Sequence, residues 1–242
     1  TKTAMGIFDS VSQAMEAVYK TMASGITPVA MEFLDNLTIR AVEKTFKKGL
    51  PIDAGALLVT DVDGNLEDDL NFQLAQIEKV FKENGCREFK IAKDKKEAAD
   101  LWFARRNASQ SITVYGSKKL NEDVTVPRSA LPELLERFYA IAEKYKINIP
   151  CFGHTGDGNV HTNVMVDGKD PEQVKIAYKA IEEVFQATID LGGTLSGEHG
   201  IGLAKAPYMS MAFTDEEMNL FKSIKKAFDP NNILNPSKMG LD

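Results

Sequence analysis

Hydrophobic positions along the chain switch between a helical and a strand rhythm. Phe8, Val11, Met15, Val18 and Met22 recur at three- and four-residue intervals, which predicts a helix over about 8–23. The apolar run 26–34, with Thr27-Pro28 at its mouth, predicts a strand, and Asn36 is placed to cap a helix running to about Phe46. A buried strand follows at 56–61, a helix at 66–83 and a short strand at 88–91. Asp94 and Glu97 have the spacing of a capping box, heading a helix that carries Trp102, Arg105 and Arg106. Further on, 124–126 reads as a strand ended by Pro127, and 131–145 as a helix. The runs 149–153 and 160–166 read as a hairpin, and Pro171 sits at the favoured first position of a helix reaching about 191. Thr214 and Glu217 form a second capping box, for a helix that stops before Asp229-Pro230. Strands and helices interleave irregularly and one strand pair is a hairpin, so the expected class is α+β, an antiparallel sheet layered by helices. No sequence repeat or low-complexity stretch is visible.

Composition narrows the possibilities. At 242 residues the chain can bury a core as one large domain, or as one domain with a small appendage. A hydrophobic content of 43% and a charged content of 26% are those of a soluble globular protein. The net charge of −6, with a pI near 5.3, argues against a nucleic-acid partner. No apolar run approaches the roughly 20 residues needed to cross a bilayer, and no signal peptide opens the chain, so a cytoplasmic protein is expected. A first residue of Thr1 with helical periodicity almost at once suggests a piece of something longer. Cys86 and Cys151 are far apart and form no Cys-x-x-Cys, so both are expected to be buried small hydrophobes.

The chemistry concentrates in two short glycine-rich stretches that hold all three histidines: Gly153-His154-Thr155-Gly156-Asp157-Gly158-Asn159-Val160-His161 and Ser196-Gly197-Glu198-His199-Gly200-Ile201-Gly202. Two imidazoles and one carboxylate leave open positions on zinc or ferrous iron. With Asp157-Gly158 as a two-residue hairpin turn, His154 would face His161 directly, with Cβ atoms about 4.5–5.5 Å apart. Asn163 would follow on the same face. The second stretch reads as a tight loop able to bring in a carboxylate. The expected ligands are therefore His154, His161 and Glu198, with zinc, iron and manganese not separated by spacing alone. Two other motifs lead elsewhere. Asp61-Val62-Asp63-Gly64-Asn65 has its glycine at the fourth position where a calcium loop needs it at the sixth, so it reads as a strand-to-helix turn. The run 197–202 has neither dinucleotide-fingerprint nor phosphate-loop spacing.

The two histidine motifs resemble the C-terminal half of FAD-linked 2-hydroxy-acid oxidoreductases, of the glycolate oxidase large subunit and D-lactate dehydrogenase type, within the vanillyl-alcohol-oxidase-like superfamily. So do the ending Asp229-Pro-Asn-Asn-Ile-Leu-Asn-Pro236, Glu32-Phe33-Leu34-Asp35, Leu101-Trp102-Phe103-Ala104-Arg105-Arg106 and Asp123-Val124-Thr125-Val126-Pro127-Arg128. The resemblance implies a cap domain with ferredoxin-like elements over 1–203 and a small helical part over 204–242. It also implies a separate N-terminal FAD-binding domain that this chain lacks. It assigns His154, His161 and Glu198 to a divalent ion, His199 to the substrate and flavin side as proton acceptor, and Arg105 and Asn163 to the substrate. The position of a lysine that contacts a second carboxylate in some relatives falls on Asn121, which argues against a longer diacid such as 2-hydroxyglutarate. The implied reaction oxidises a small D-2-hydroxy acid, of the glycolate or D-lactate class, to the 2-oxo acid by hydride transfer to FAD, assisted by a divalent metal. The onward acceptor is left open among an electron-transfer flavoprotein, an iron–sulfur subunit, a quinone and oxygen. A zinc hydrolase and a metal-stabilised interaction module are the alternatives, and neither would require flavin.

Overall fold

The computed structural model describes residues 1–241. A seven-stranded, wholly antiparallel sheet runs through the molecule: β1 (Lys2–Phe8), β2 (Ala30–Asp35), β3 (Ala56–Val62), β4 (Cys86–Ile91), β5 (Lys118–Thr125), β6 (Cys151–His154) and β7 (Asn159–Val166), in the order β4-β1-β3-β2-β6-β7-β5. The helices are α1 (Val11–Ala23), α2 (Asn36–Phe46), α3 (Glu67–Glu83), α4 (Lys95–Leu101), α5 (Phe103–Ser111), α6 (Leu131–Tyr145), α7 (Pro171–Asp190), α8 (Met209–Ala212) and α9 (Asp215–Phe228).

The expected α+β class and its ferredoxin-like elements are both present, and the topology shows how. β1, α1, β2, β3, α3 and β4 form a complete ferredoxin-like unit with strand order 4-1-3-2. The second unit, β5, α6, β6, β7 and α7, repeats it as far as α7 but replaces the fourth strand with a single bridge between Thr194 and Thr125. The two units join into one sheet where β2 pairs with β6. On one face α1, α3, α6 and α7 bury their apolar stripes in a shared core that includes Met15, Phe81, Phe138 and Phe185. On the other face α2 and α5 cover the first unit through Ile39, Val42, Ala104 and Ala108, packed with Leu34, Leu57 and Val59. The difference arises at one connection: β2 and β3 are joined through α2, whereas β6 and β7 are joined by four residues, 155–158. That leaves one end of the second unit's face without a helix over it.

Several boundaries differ from expectation for identifiable reasons. Phe8 ends a strand rather than starting a helix, because β1 lies between β3 and β4, is buried on both faces and shows no alternation. Ser10 caps α1 by accepting from Gln13 N. The cap of α2 is Asp35 rather than Asn36: one carboxylate oxygen accepts from Thr38 N at 2.8 Å and the other from Cys151 N at 2.8 Å. β5 starts six residues before the expected 124, its polar sequence having hidden it. The helix carrying Arg105 breaks at Trp102. Asp94 caps its first half as expected, while Glu97 reaches Lys93 N rather than the cap's own N–H. Asp61 and Val62 end β3 and residues 63–66 lead from it to α3, Thr214 and Glu217 close a capping box, and both cysteines are free and buried. Among the described residues no helix is long and apolar enough to cross a membrane.

Candidate metal centre and its surroundings

The strand pairing places the two histidines together, but not in the expected register. Phe152, not His154, is paired with His161, and His154 instead faces Glu32 across the β2–β6 seam. The reason is the turn: Thr155–Asp157 adopt a short 3-10 conformation and Gly158 takes the left-handed region at φ 77°, so the connection has four residues rather than two. His154 and His161 become diagonal neighbours on one face, with ring centroids 5.1 Å apart. The loop after Thr194 then lays Glu198 over them. Its Oε1 is 3.3 Å from His154 Nε2 and 3.4 Å from His161 Nε2, and the three ligand atoms lie within 4.8 Å of one another.

The donor set suits a divalent ion. His154 Nδ1 lies 2.6 Å from Glu32 Oε1; with the proton on that nitrogen, Nε2 presents its lone pair to the cluster. This hydrogen bond outweighs burial and raises the His154 pKa. His161 is 7% exposed, and burial, then Arg105 and the neighbouring imidazoles, push its pKa down to about 4, so its ring is neutral. Neutral imidazole is the form that binds a metal. Glu198 is half-exposed and borders a hollow of about 350 Å³ with Thr125, His154, Asp157, Asn159 and Gly197.

His199 stacks on His161, with centroids 5.3 Å apart and planes inclined by 16°. Its Nδ1 is 3.4 Å from Asp123 Oδ1 and its Nε2 is 3.9 Å from Glu198 Oε1. Arg105 reaches the same cluster from α5. Its Nε donates to Glu32 Oε2 at 2.7 Å and its guanidinium lies over the Phe152 ring, 5.0 Å from the centroid. The bond uses Nε, so it does not consume the fork formed by the two Nη atoms. Asn163 is placed differently from a substrate contact. It is fully buried, its amide donates to the Pro150 and His161 carbonyls at 3.2 Å, and its Oδ1 has no partner.

Two acids that the sequence reading quoted only as parts of matched segments organise the site. Glu32 links Arg105 to His154. Asp123 is fully buried directly opposite His161 and is held at a pKa of about 2: burial works against its charge, but Lys205 and the N–H groups of Glu198 and His199 overrule it. For Glu32 the available signal was an acid inside the otherwise apolar β2, since a charge is buried only where it is paired; Asp123, in the polar β5, had no such contrast.

Residues 1–239 match the family described as FAD linked oxidases, C-terminal domain. The chain belongs to this family. It is 37% identical over 238 residues to glycolate oxidase subunit GlcD of Bacillus subtilis (strain 168), covering 98% of this chain and 50% of that protein. To glycolate oxidase subunit GlcD of Escherichia coli (strain K12) it is 34% identical over 231 residues, covering 96% and 46%. To a probable mitochondrial D-lactate dehydrogenase of Danio rerio it is 29% identical over 234 residues, again 96% and 46%. The chain thus spans about half the length of these relatives. The same fold occurs in p-cresol methylhydroxylase with substrate bound, at a TM-score of 0.74 and 17% identity, covering 100% of this chain and 53% of that one. It also occurs in 4-ethylphenol oxidase from Gulosibacter chungangensis, at 0.68 and 15%, covering 100% and 54%.

Proposed function

We propose that the chain is the substrate-side half of a flavin-dependent oxidoreductase that converts a short 2-hydroxy acid, of the glycolate or D-lactate class, to the 2-oxo acid. The observation that carries this reading is the convergence of His154, His161 and Glu198 within 4.8 Å, beside His199 and the Arg105 fork, in a chain of the FAD-linked oxidase family. The names of the relatives supply the substrate class. Having no nucleotide motif, the chain leaves flavin binding to the additional half of the relatives' length. Family membership favours hydride transfer over the zinc-hydrolase and interaction-module alternatives.

A zinc, iron or manganese ion held by His154, His161 and Glu198 would lower the pKa of a substrate hydroxyl and stabilise developing negative charge on its oxygen. The Arg105 Nη atoms pair with the substrate carboxylate in a bidentate fork, its plane set by Phe152 below and its direction by Glu32. His199 takes the hydroxyl proton at Nε2, because Nδ1 faces Asp123. FAD bound alongside would supply the acceptor for the hydride of the substrate's second carbon, whose carbon–oxygen bond then becomes a carbonyl. Asn163 braces the backbone beneath the site.

Metal analysis of the purified chain tests the ligand set. One divalent ion per chain is expected, lost in His154→Ala and in His161→Ala; undiminished metal in both variants overturns the assignment. In a polypeptide that includes a preceding FAD-binding half, anaerobic glycolate or D-lactate is expected to bleach the flavin. His199→Ala should slow bleaching by about 100-fold or more, and an unchanged rate removes His199 from proton transfer.

A further inference from the structure

The loop bearing Glu198 and His199 stands where the second unit should have its fourth strand, yet only Thr194 makes a bridge to β5. Residues 197–200 are exposed, and Gly200 and Gly202 take positive φ. Such a segment has no ladder to order it. Beneath it, Asp123 Oδ2 accepts three successive backbone N–H groups, from Gly197 at 2.9 Å, Glu198 at 2.6 Å and His199 at 2.9 Å. The Ser196 hydroxyl lies 3.2 Å from both Asp123 oxygens and itself accepts from Gly200 N. The remaining charge of Asp123 meets the Lys205 ammonium, which is 4% exposed and also donates to the Asp123 and Leu195 carbonyls at 3.1 and 2.7 Å. Lys205 thus ties the far end of the loop to its beginning through the strand below. Gly197 completes the fit, since a Cβ there would lie 1.9 Å from Asn159 Nδ2.

We propose that Asp123 and Lys205 are positioning residues, a buried ionic latch that fixes the 196–200 loop so that Glu198 is presented to His154 and His161 and His199 is held against His161. The inference rests on the cation reading of those three groups and adds the pair that assembles them. A nest of successive N–H groups around one carboxylate is a strong backbone anchor, and here the carboxylate belongs to the scaffold and the nest to the loop.

The test compares the 242-residue chain with Lys205→Met and with the double variant Asp123→Asn/Lys205→Met, which removes both charges of the latch together and leaves Glu122, 3.6 Å from Lys205 Nζ, as a buried acid that loses its cation in both variants alike. Two quantities are read in protein shown to be folded by circular dichroism: zinc affinity, and hydrogen exchange at the amides of Gly197, Glu198 and His199. In the wild type these three amides should be protected although their residues are exposed. In both variants exchange at these sites should quicken, and zinc affinity should fall, each at least tenfold, with exchange in β1 and β3 unchanged. A merely structural role would change exchange throughout the core and leave the zinc affinity of the folded fraction intact. Slow exchange retained at the three amides, or zinc held by the folded variants as tightly as by the wild type, overturns the latch. Absence of zinc binding by the wild type, with exchange still quickened in Lys205→Met, defeats the cation reading and leaves the latch standing.

Discussion

The two ferredoxin-like units share a topology and differ in what has been left out. The first is complete: four strands, a helix inserted between its second and third strands, and apolar side chains on both faces. The second lacks the insertion and has lost its fourth strand to a loop. One omission uncovers the face that carries His154 and His161; the other leaves a segment outside the strand ladder that brings Glu198 and His199 over it. The comparison teaches that the candidate site occupies the places where the architecture was not finished. The intact unit beside it shares a core with the second and reaches the site through Glu32.

That division can be attacked in descending order of effect. Phe81 is fully buried in the first unit, with Phe8 and Phe89 ring contacts at 5.3 and 5.6 Å, so Phe81→Ala should cost about 3–5 kcal/mol. Denaturant titration measures the loss, and zinc affinity of the folded fraction should stay as in the wild type. A large fall in that affinity would show that the units do not divide the work.

At the seam, Asp35 joins the α2 cap to Cys151 of β6. Burial raises its pKa to about 6 against the opposing N–H bonds of Thr38 and Cys151. Its unfolded value is about 3.9, so the folded state binds the proton more tightly. This contribution to stability is fully present below about pH 4 and is lost as pH rises through 6, a change of about 2–3 kcal/mol. Unfolding free energies measured from pH 4 to 7 should therefore fall more steeply in the wild type than in Asp35→Asn. Equal slopes would remove Asp35 as the titrating group.

Smaller again, Glu32→Gln keeps the shape but removes the charge between Arg105 and His154. A weakening of zinc binding by about 10- to 100-fold is expected, with little change in melting temperature. Isothermal titration at constant pH reads it, and unaltered affinity would leave Glu32 without a role in orienting His154.

Much of this was legible along the chain. The imidazoles and Glu198 stood out because glycine-rich stretches gathered them, and the long amphipathic helices α3, α6 and α7 announced themselves by period. The hairpin register did not, because Asp157-Gly158 carries a two-residue turn signal while the chain uses four residues there. Only the end of β5, from 124, read as a strand; its first six residues escaped notice for the same reason that they are useful, since Asn121 and Asp123 are polar on the site's face. Glu32 and Asp123 act on partners 122 and 76 residues away, a distance no local pattern spans. The structural repeat was invisible because its units share strand order and not sequence.

The loop after α7 also has a consequence for solubility. Outer strands expose unpaired amides and carbonyls that can template another chain, and proteins blunt them with charge, bulges or cover. At one margin of this sheet β4 carries Arg87, Glu88 and Lys90. At the other, Thr194, Gly197 and Lys205 occupy backbone groups of Thr125 and Asp123. A chain whose loop had come away would expose part of that margin, and edge-to-edge association would then compete with return of the loop for the freed strand.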